Sequence, residues 1–194
     1  MVNLNISGRE LRDIIISMLV IAGVFAFSFG HHNIALTLAV LPMTLIAVGF
    51  GFVLHELAHR FVAMHFGYFA QYQMWINGLV LAVITSFFGF VFAAPGAVYI
   101  YGDNISLKEN GIISIAGPLT NILLAILFFI GSQLFAPNTY FAILSNVGFS
   151  VNSFLAFFNL IPFGNLDGTK ILKWNPLLWL ICIAIAFLLT FQNI

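Results

Sequence analysis

The sequence predicts an all-α polytopic membrane protein with about five to six transmembrane helices and a short β-strand or re-entrant region between the second and third full helices. Of its 194 residues, 62% are hydrophobic and only 6% are charged, whereas roughly a quarter of the residues of a soluble domain are charged. Apolar runs near the roughly 20 residues that a helix needs to cross a bilayer recur along the chain. Six basic and six acidic residues cannot cover the surface of a globule of this size, which excludes a soluble enzyme.

The first two predicted helices lie near the start of the chain. The first runs from Ile14 to about Phe29, and we expect it to be retained because no small-residue cleavage pattern of a signal peptide follows it. The second begins near Ile34 and continues through Phe66. We expect Pro42 to kink this helix rather than end it, since the apolar pattern continues past the proline.

Residues 67–110 form a more irregular region. Tyr68–Trp75 mixes aromatic residues with glutamines, as in a short strand. Leu79–Phe92 is apolar but has only 14 residues, which favours a re-entrant or interfacial segment over a full crossing. Pro95–Tyr101 has the pattern of a strand that starts at a turn.

Three further helices are predicted in the second half of the chain. They cover about Ile112–Leu134, Tyr140–Leu160 and Pro176–Phe191, with a break at Pro162 and Gly164 before the last one. No internal repeat, linker or appended soluble segment is visible. The sequence therefore predicts a single transmembrane domain over residues 1–194.

The basic residues indicate how the chain is oriented. If Leu79–Phe92 were a full crossing, Arg60 and Lys108 would lie on opposite sides of the bilayer. With five crossings, all six basic residues share one side, which the positive-inside rule makes the cytoplasmic side. These residues are Arg9, Arg12, Arg60, Lys108, Lys170 and Lys173.

His55-Glu56-Leu57-Ala58-His59 matches the H-E-x-x-H pattern. Positions i and i+4 lie one turn apart on a helix, so both imidazoles project from one face and can bind one zinc ion. Glu56 lies beside them and is positioned to accept a proton from an attacking water. Because ionisable groups in apolar helices are costly, this cluster indicates a functional site.

A catalytic zinc site usually has a third protein ligand, for which the sequence offers two candidates. His65 lies ten residues after His55, which is the spacing of the longer metzincin pattern H-E-x-x-H-x-x-G-x-x-H. That pattern needs a glycine at position 62 to turn the chain, and here this residue is Val62. Asp167 is the only acidic residue after Glu109, and the charge distribution places it on the same side as the histidines. A turn-forming aspartate before Gly168 is the alternative interpretation.

Four further motifs follow the H-E-x-x-H pattern along the chain: Ala94-Pro95-Gly96-Ala97-Val98, Gly117-Pro118-Leu119-Thr120-Asn121, Asn159-Leu160-Ile161-Pro162 and Leu166-Asp167-Gly168. Together with His55-Glu56-Leu57-Ala58-His59, they make the chain resemble the site-2 protease family of intramembrane zinc metalloproteases from its second helix through Gly168. Thr169 stands where a second glycine often follows L-D-G in that family, and the resemblance is to a minimal form without regulatory domains.

The resemblance implies one zinc ion per chain, held by His55, His59 and Asp167, with Glu56 as the catalytic base. The implied activity is zinc-dependent intramembrane proteolysis, in which a metal-activated water attacks a transmembrane segment of another membrane protein. The expected partners are that segment and the lipid bilayer. Nucleic acid is not expected, because no basic excess exists to neutralise phosphates.

The resemblance also implies that Asn159 and Asn121 lie close to the site and bind substrate or an oxyanion. From the residues alone, Asn159 is equally suited to satisfying backbone groups freed by Pro162. For Asn121 the residues alone favour an interhelical hydrogen bond. We expect the strand-like segment Ala94–Tyr101 to pair with a locally unwound substrate by β-augmentation.

Two other functions fit parts of the pattern. A transporter or channel with a His/Asp ion site would need polar groups distributed through the depth of the bilayer, whereas here they cluster on one face. A catalytically inactive scaffold would not need all four chemical residues. We therefore predict a multi-pass protease of a prokaryotic cell membrane, with its active site towards the cytoplasm.

Overall fold

The computed structural model describes residues 6–102 and 104–192. Within these residues the chain forms eight α-helices, one π-helical turn and two β-strands. In chain order they are α1 (Gly8–Phe29), α2 (Ile34–Val48), the π-helical turn (Gly49–Val53), α3 (Leu54–His65), β1 (Phe69–Met74), α4 (Ile76–Ser86), β2 (Gly96–Tyr101), α5 (Leu107–Leu134), α6 (Tyr140–Leu160), α7 (Asp167–Trp174) and α8 (Pro176–Phe191).

Four helical segments are long and apolar enough to cross a membrane: α1, the continuous segment Ile34–His65, α5 and α6. The shorter apolar helices α4 and α8 have 11 and 16 residues. The all-α polytopic fold class predicted from the sequence is confirmed, and α6 and α8 have the predicted bounds. A crossing by α8, which the five-helix count requires, stays a prediction because α8 is shorter than the other four segments.

Two helices start earlier than their apolar runs suggest, because side chains cap them. Ser7 accepts a hydrogen bond from the backbone N–H of Glu10, so α1 begins at Gly8 and includes the charged segment before Ile14. Ser106 and Glu109 form a reciprocal capping box at the start of α5. Capping therefore extends both helices into polar sequence.

The second helix continues through Pro42, as predicted. The regular α-helix is interrupted later, at the π-helical turn Gly49–Val53 that directly precedes α3 and lies two residues before the first histidine of the H-E-x-x-H pattern. Single π-helical turns inside α-helices are frequent at functional sites. This interruption was not predicted from the sequence.

The region after α3 contains an antiparallel hairpin around a short helix. β1 pairs with β2 from Phe69 opposite Tyr101 to Met74 opposite Gly96, which confirms both predicted strands. The first part of the segment predicted to be re-entrant lies in α4, and a turn and a stretch without regular secondary structure follow up to Pro95. The hairpin packs against α1 and α3.

Helix α5 is the central element of the bundle, since it packs against α3, α6 and α7. Its small and polar residues face these neighbours, and Gly117 and Asn121 are among its buried residues. Its opposite face is apolar and exposed, as a bilayer requires. The exposed apolar residues of this face include Leu119, Leu123, Ile126, Leu127 and Ile130.

Candidate active site

His55, His59 and Asp167 bring three potential metal-ligand atoms to one point. The two Nε2 atoms lie 3.0 Å apart, and Asp167 Oδ2 lies 3.1 Å from Nε2 of His59 and 3.4 Å from Nε2 of His55. Zinc–ligand distances of about 2.0–2.1 Å in a tetrahedron place neighbouring ligand atoms roughly 3.3 Å apart. The three atoms therefore have the separations that one zinc ion requires.

Two elements supply these side chains. The histidines lie one turn apart on α3, so both imidazoles project from the same face of the helix. Asp167 is the first residue of α7, which follows the break at the end of α6. A β-carbon at Gly168 would overlap the carbonyl oxygen of Leu160, so glycine is needed there for α7 to approach the end of α6.

Helix α5 orients both imidazoles through their Nδ1 atoms. Nδ1 of His59 lies 2.7 Å from the carbonyl oxygen of Ile113, which can only accept a hydrogen bond. His59 is therefore protonated at Nδ1 and presents the lone pair of Nε2 to the ligand cluster. Nδ1 of His55 lies 2.5 Å from Oδ1 of Asn121.

The surroundings of Asp167 favour its ionised form. Burial raises the pKa of the carboxyl, but His59, His55 and Lys170 together lower the pKa far below its ordinary value. Nζ of Lys170 lies 3.5 Å from Oδ1, while Oδ2 faces the histidines. A metal binds the deprotonated carboxylate, so this environment suits a ligand.

Glu56 lies in the same cavity as the three ligand candidates. Its side chain is buried, and its Oε2 atom has no hydrogen-bond partner among the residues that the structure describes. An unpaired buried carboxylate oxygen is costly for a protein. It is suited to accepting a proton from a water molecule that enters the cavity.

The two predicted asparagines have different surroundings. Asn159 lines the cavity and donates one hydrogen bond to the carbonyl oxygen of Leu155 in its own helix. Asn121 is fully buried, and its side-chain oxygen faces His55. His65 lies at the exposed end of α3 and does not belong to the ligand cluster.

The structure adds two residues that sequence reasoning did not place at the site. Gly117 of α5 lies against both imidazoles, since a β-carbon there would overlap Nε2 of His55 and of His59. Asn152 of α6 is fully buried and contacts Asn121. The available signal was a polar asparagine within the apolar helix α6, since such residues are costly in a membrane.

Two known proteins are similar to this chain over most of its length. The chain is 47% identical over 176 residues to a protein named "Putative zinc metalloprotease MJ0611" from Methanocaldococcus jannaschii, covering 90% of this chain and 89% of the relative. It is 29% identical over 156 residues to "Putative zinc metalloprotease YwhC" from Bacillus subtilis, covering 70% of each chain. No protein-family model and no solved structure matches the chain.

The fold and the ligand cluster define a helical membrane protein with a candidate zinc centre. The similarity to the Methanocaldococcus protein over most of both chains shows the family. This chain belongs to the zinc metalloprotease family of that relative.

Proposed function

We propose that this protein is a zinc-dependent intramembrane endopeptidase of the site-2 protease type, which cleaves transmembrane segments of other membrane proteins. One observation carries the proposal. The buried cluster of His55, His59 and Asp167 lies in a chain with four helices of membrane-crossing length and composition, and both histidines belong to one of them, Ile34–His65. Water for the reaction and a peptide bond from the substrate would meet at this cluster.

In this proposal, His55, His59 and Asp167 hold one zinc ion per chain. When bound there, zinc polarises a water molecule and lowers the pKa of that water towards neutrality. The three side chains would supply three protein ligands to the ion, and a catalytic site of this kind keeps one further position for water or substrate. Ile113 and Asn121 hold the two imidazoles in the orientation that this geometry needs.

Glu56 acts as the general base. Its free oxygen accepts a proton from the attacking water and then delivers it to the amine that leaves the cleaved peptide. Asn159 contributes a second amide hydrogen at the cavity wall, beyond the one donated to Leu155. That hydrogen stabilises the negative charge that develops on the carbonyl oxygen of the substrate.

The substrate must unwind before it is cut, because a helix keeps its peptide bonds inside its own hydrogen-bonded backbone. Strand β2 lines the cavity with Gly96, Val98 and Ile100. The backbone N–H of Trp75 donates to the carbonyl of Pro95, one step beyond the end of the β1–β2 register. Hydrogen-bonded and non-hydrogen-bonded residue pairs alternate along an antiparallel ladder. The backbone groups of Gly96, Val98 and Ile100 therefore point away from β1 and are available to an extended segment of the substrate.

We assign the active site to the cytoplasmic side of a prokaryotic cell membrane. The basic residues support this assignment, because all six would share one side of the bilayer if the chain crosses it five times, and basic residues are enriched on the cytoplasmic side. Residues 1–194 act as a single catalytic domain, and the bilayer and the transmembrane substrate are its partners.

The test uses purified protein in lipid vesicles with a model transmembrane peptide. We expect about one zinc per chain, with zinc lost or much weakened in Asp167→Ala, because a catalytic zinc keeps three protein ligands. We also expect cleavage within the apolar stretch of the peptide, located by mass spectrometry. Zinc binding without any cleavage would favour an ion site of a transporter, and cuts only outside the apolar stretch would overturn the intramembrane proposal.

A further inference from the structure

Asn121 is the centre of a buried hydrogen-bond chain that connects three helical segments. Its Oδ1 lies 2.5 Å from Nδ1 of His55. Its Nδ2 donates to the carbonyl oxygen of Gly51 and to Oδ1 of Asn152, both at 3.0 Å. Asn152 in turn donates to the carbonyl oxygen of Gly148 at 2.8 Å. Asn121 and Asn152 are both fully buried.

Two backbone carbonyls determine the direction of every hydrogen bond in this chain. A carbonyl oxygen can only accept, so the amide nitrogen of Asn152 must face Gly148, and its oxygen must face Asn121. The nitrogen of Asn121 must then face both Asn152 and Gly51. The remaining atom of the Asn121 amide is an oxygen, and it faces His55.

The direction of these hydrogen bonds fixes the tautomer of His55. Because Oδ1 of Asn121 can only accept, Nδ1 of His55 must carry a proton, and in the neutral ring Nε2 then carries the lone pair. Nε2 is the atom that faces His59 and Asp167. Water at this position would allow either tautomer, since water both donates and accepts.

Glycine at position 51 allows this arrangement. A β-carbon there would lie 2.7 Å from Oδ1 of Asn152 and 3.3 Å from its Cγ, so a larger residue would displace the Asn152 amide. Gly51 belongs to the π-helical turn directly before α3. The turn, α5 and α6 therefore meet at one polar contact behind the histidine pair.

We propose that Asn121 is a positioning residue that fixes His55 as the Nδ1–H tautomer, with Asn152 and Gly51 holding its amide in the required orientation. The proposal rests on the proposed function for its effect on zinc, but its effect on the tautomer is independent of zinc. It replaces the substrate-binding or oxyanion role predicted for Asn121, because both amide hydrogens of Asn121 are directed at protein acceptors.

The tautomer can be measured by ¹⁵N NMR of histidine-labelled, zinc-free protein in lipid vesicles, because protonated and unprotonated ring nitrogens have different chemical shifts. The His55 signals are assigned by their loss in His55→Gln. We expect a proton on Nδ1 of His55 in the wild type and its loss from Nδ1 in Asn121→Ala. A wild-type His55 that is protonated at Nε2 alone would overturn the proposal without any further variant.

Zinc affinity separates this role from a purely structural one. We expect zinc to bind about 10- to 100-fold more weakly to Asn121→Ala than to the wild type, the range typical of lost outer-shell partners of metal ligands. Asn121→Asp keeps an acceptor for Nδ1 of His55 but loses the donors to Gly51 and Asn152. If Asn121 orients His55, the Asp variant binds zinc more tightly than the Ala variant.

If Asn121 only ties the helices together, the Asp variant binds zinc as weakly as the Ala variant or more weakly, because its carboxylate would face two acceptor oxygens, those of Gly51 and Asn152. That result would overturn the proposal.

Ser153→Ala is the matched control. Ser153 is buried next to Asn152, but its hydroxyl donates only within its own helix. We expect wild-type zinc affinity and a wild-type His55 tautomer in this variant. A protein that binds no zinc would refute the proposed function, while the tautomer measurement would still test Asn121.

Discussion

Arg60 and Glu10 form an almost completely buried ion pair. Nη1 of Arg60 lies 2.9 Å from Oε1 of Glu10, and the two side chains are 4% and 2% exposed. The same carboxylate oxygen accepts a hydrogen bond from the backbone N–H of Tyr72. The pair therefore joins α1, α3 and β1 at the residue that follows His59, and it connects the ligand helix to the rest of the bundle.

Glu10→Ala is expected to destabilise the protein strongly. Removing one partner of a buried ion pair costs about 3–5 kcal/mol, because the other charge loses that partner in a low-dielectric surrounding. We expect a clearly lower midpoint of thermal unfolding in detergent, measured by circular dichroism.

Arg12→Ala is the control for this prediction, since Arg12 pairs with Asp13 but its side chain is 59% exposed. Exposed pairs contribute about 0–1 kcal/mol, so the unfolding midpoint is expected to stay near that of the wild type. Equal midpoints for Glu10→Ala and Arg12→Ala would show that the buried pair contributes no more than the exposed one.

Gly117→Ala is expected to abolish tight zinc binding. The added β-carbon would overlap both Nε2 atoms of the histidine pair, so one imidazole must move out of position. We expect zinc affinity to fall by about 100-fold, the upper range for disturbed ligand orientation, as measured by competition with a chelator. Gly23→Ala is the matched control, because Gly23 also lies in a helix, and no described atom beyond its chain neighbours and its own helix backbone lies within 4 Å of the added carbon. Unchanged affinity in both variants would mean that α5 can move away from the histidines without effect.

The sequence was sufficient for features that depend on local pattern. The bounds of α6 and α8 follow from uninterrupted apolar runs between polar breaks. The i, i+4 spacing placed His55 and His59 on one helix face, and Asp167 was selected because few acidic residues exist in this chain. The structure brings all three together.

Other features depend on contacts between segments distant in the sequence. Nothing in the local pattern shows that Asn152 is hydrogen-bonded to Asn121, which lies 31 residues earlier in the sequence. Nor does the pattern show that Gly117 lies against the histidines. Arg60 was counted with the positive charges of the cytoplasmic side, whereas its side chain is buried against Glu10, 50 residues earlier. The start of α5 was placed too late because apolarity was weighed above the capping box of Ser106 and Glu109.

Glu56→Gln is expected to keep zinc and lose cleavage. Glutamine preserves the shape of the side chain but cannot accept a proton, and general base catalysis contributes about 10²–10⁴-fold to a rate. Zinc per chain is measured by mass spectrometry of the metal, and turnover is measured on a transmembrane peptide in vesicles. His65→Gln is the control, since His65 is exposed and lies outside the ligand cluster, and it is expected to retain both zinc and turnover. Residual activity close to the wild type in Glu56→Gln would reject the assignment of the base.

Val98→Pro is expected to reduce turnover while zinc stays bound. Proline removes one backbone N–H from the edge of β2 that points away from β1, so the β1–β2 pairing is preserved. One main-chain hydrogen bond is worth about 0.5–1.5 kcal/mol, which corresponds to a roughly two- to tenfold loss of turnover. Val98→Ala is the control, because it shortens the same side chain but keeps the N–H. Equal losses in both variants would assign the effect to the side chain, and wild-type turnover in Val98→Pro would remove strand pairing from the mechanism.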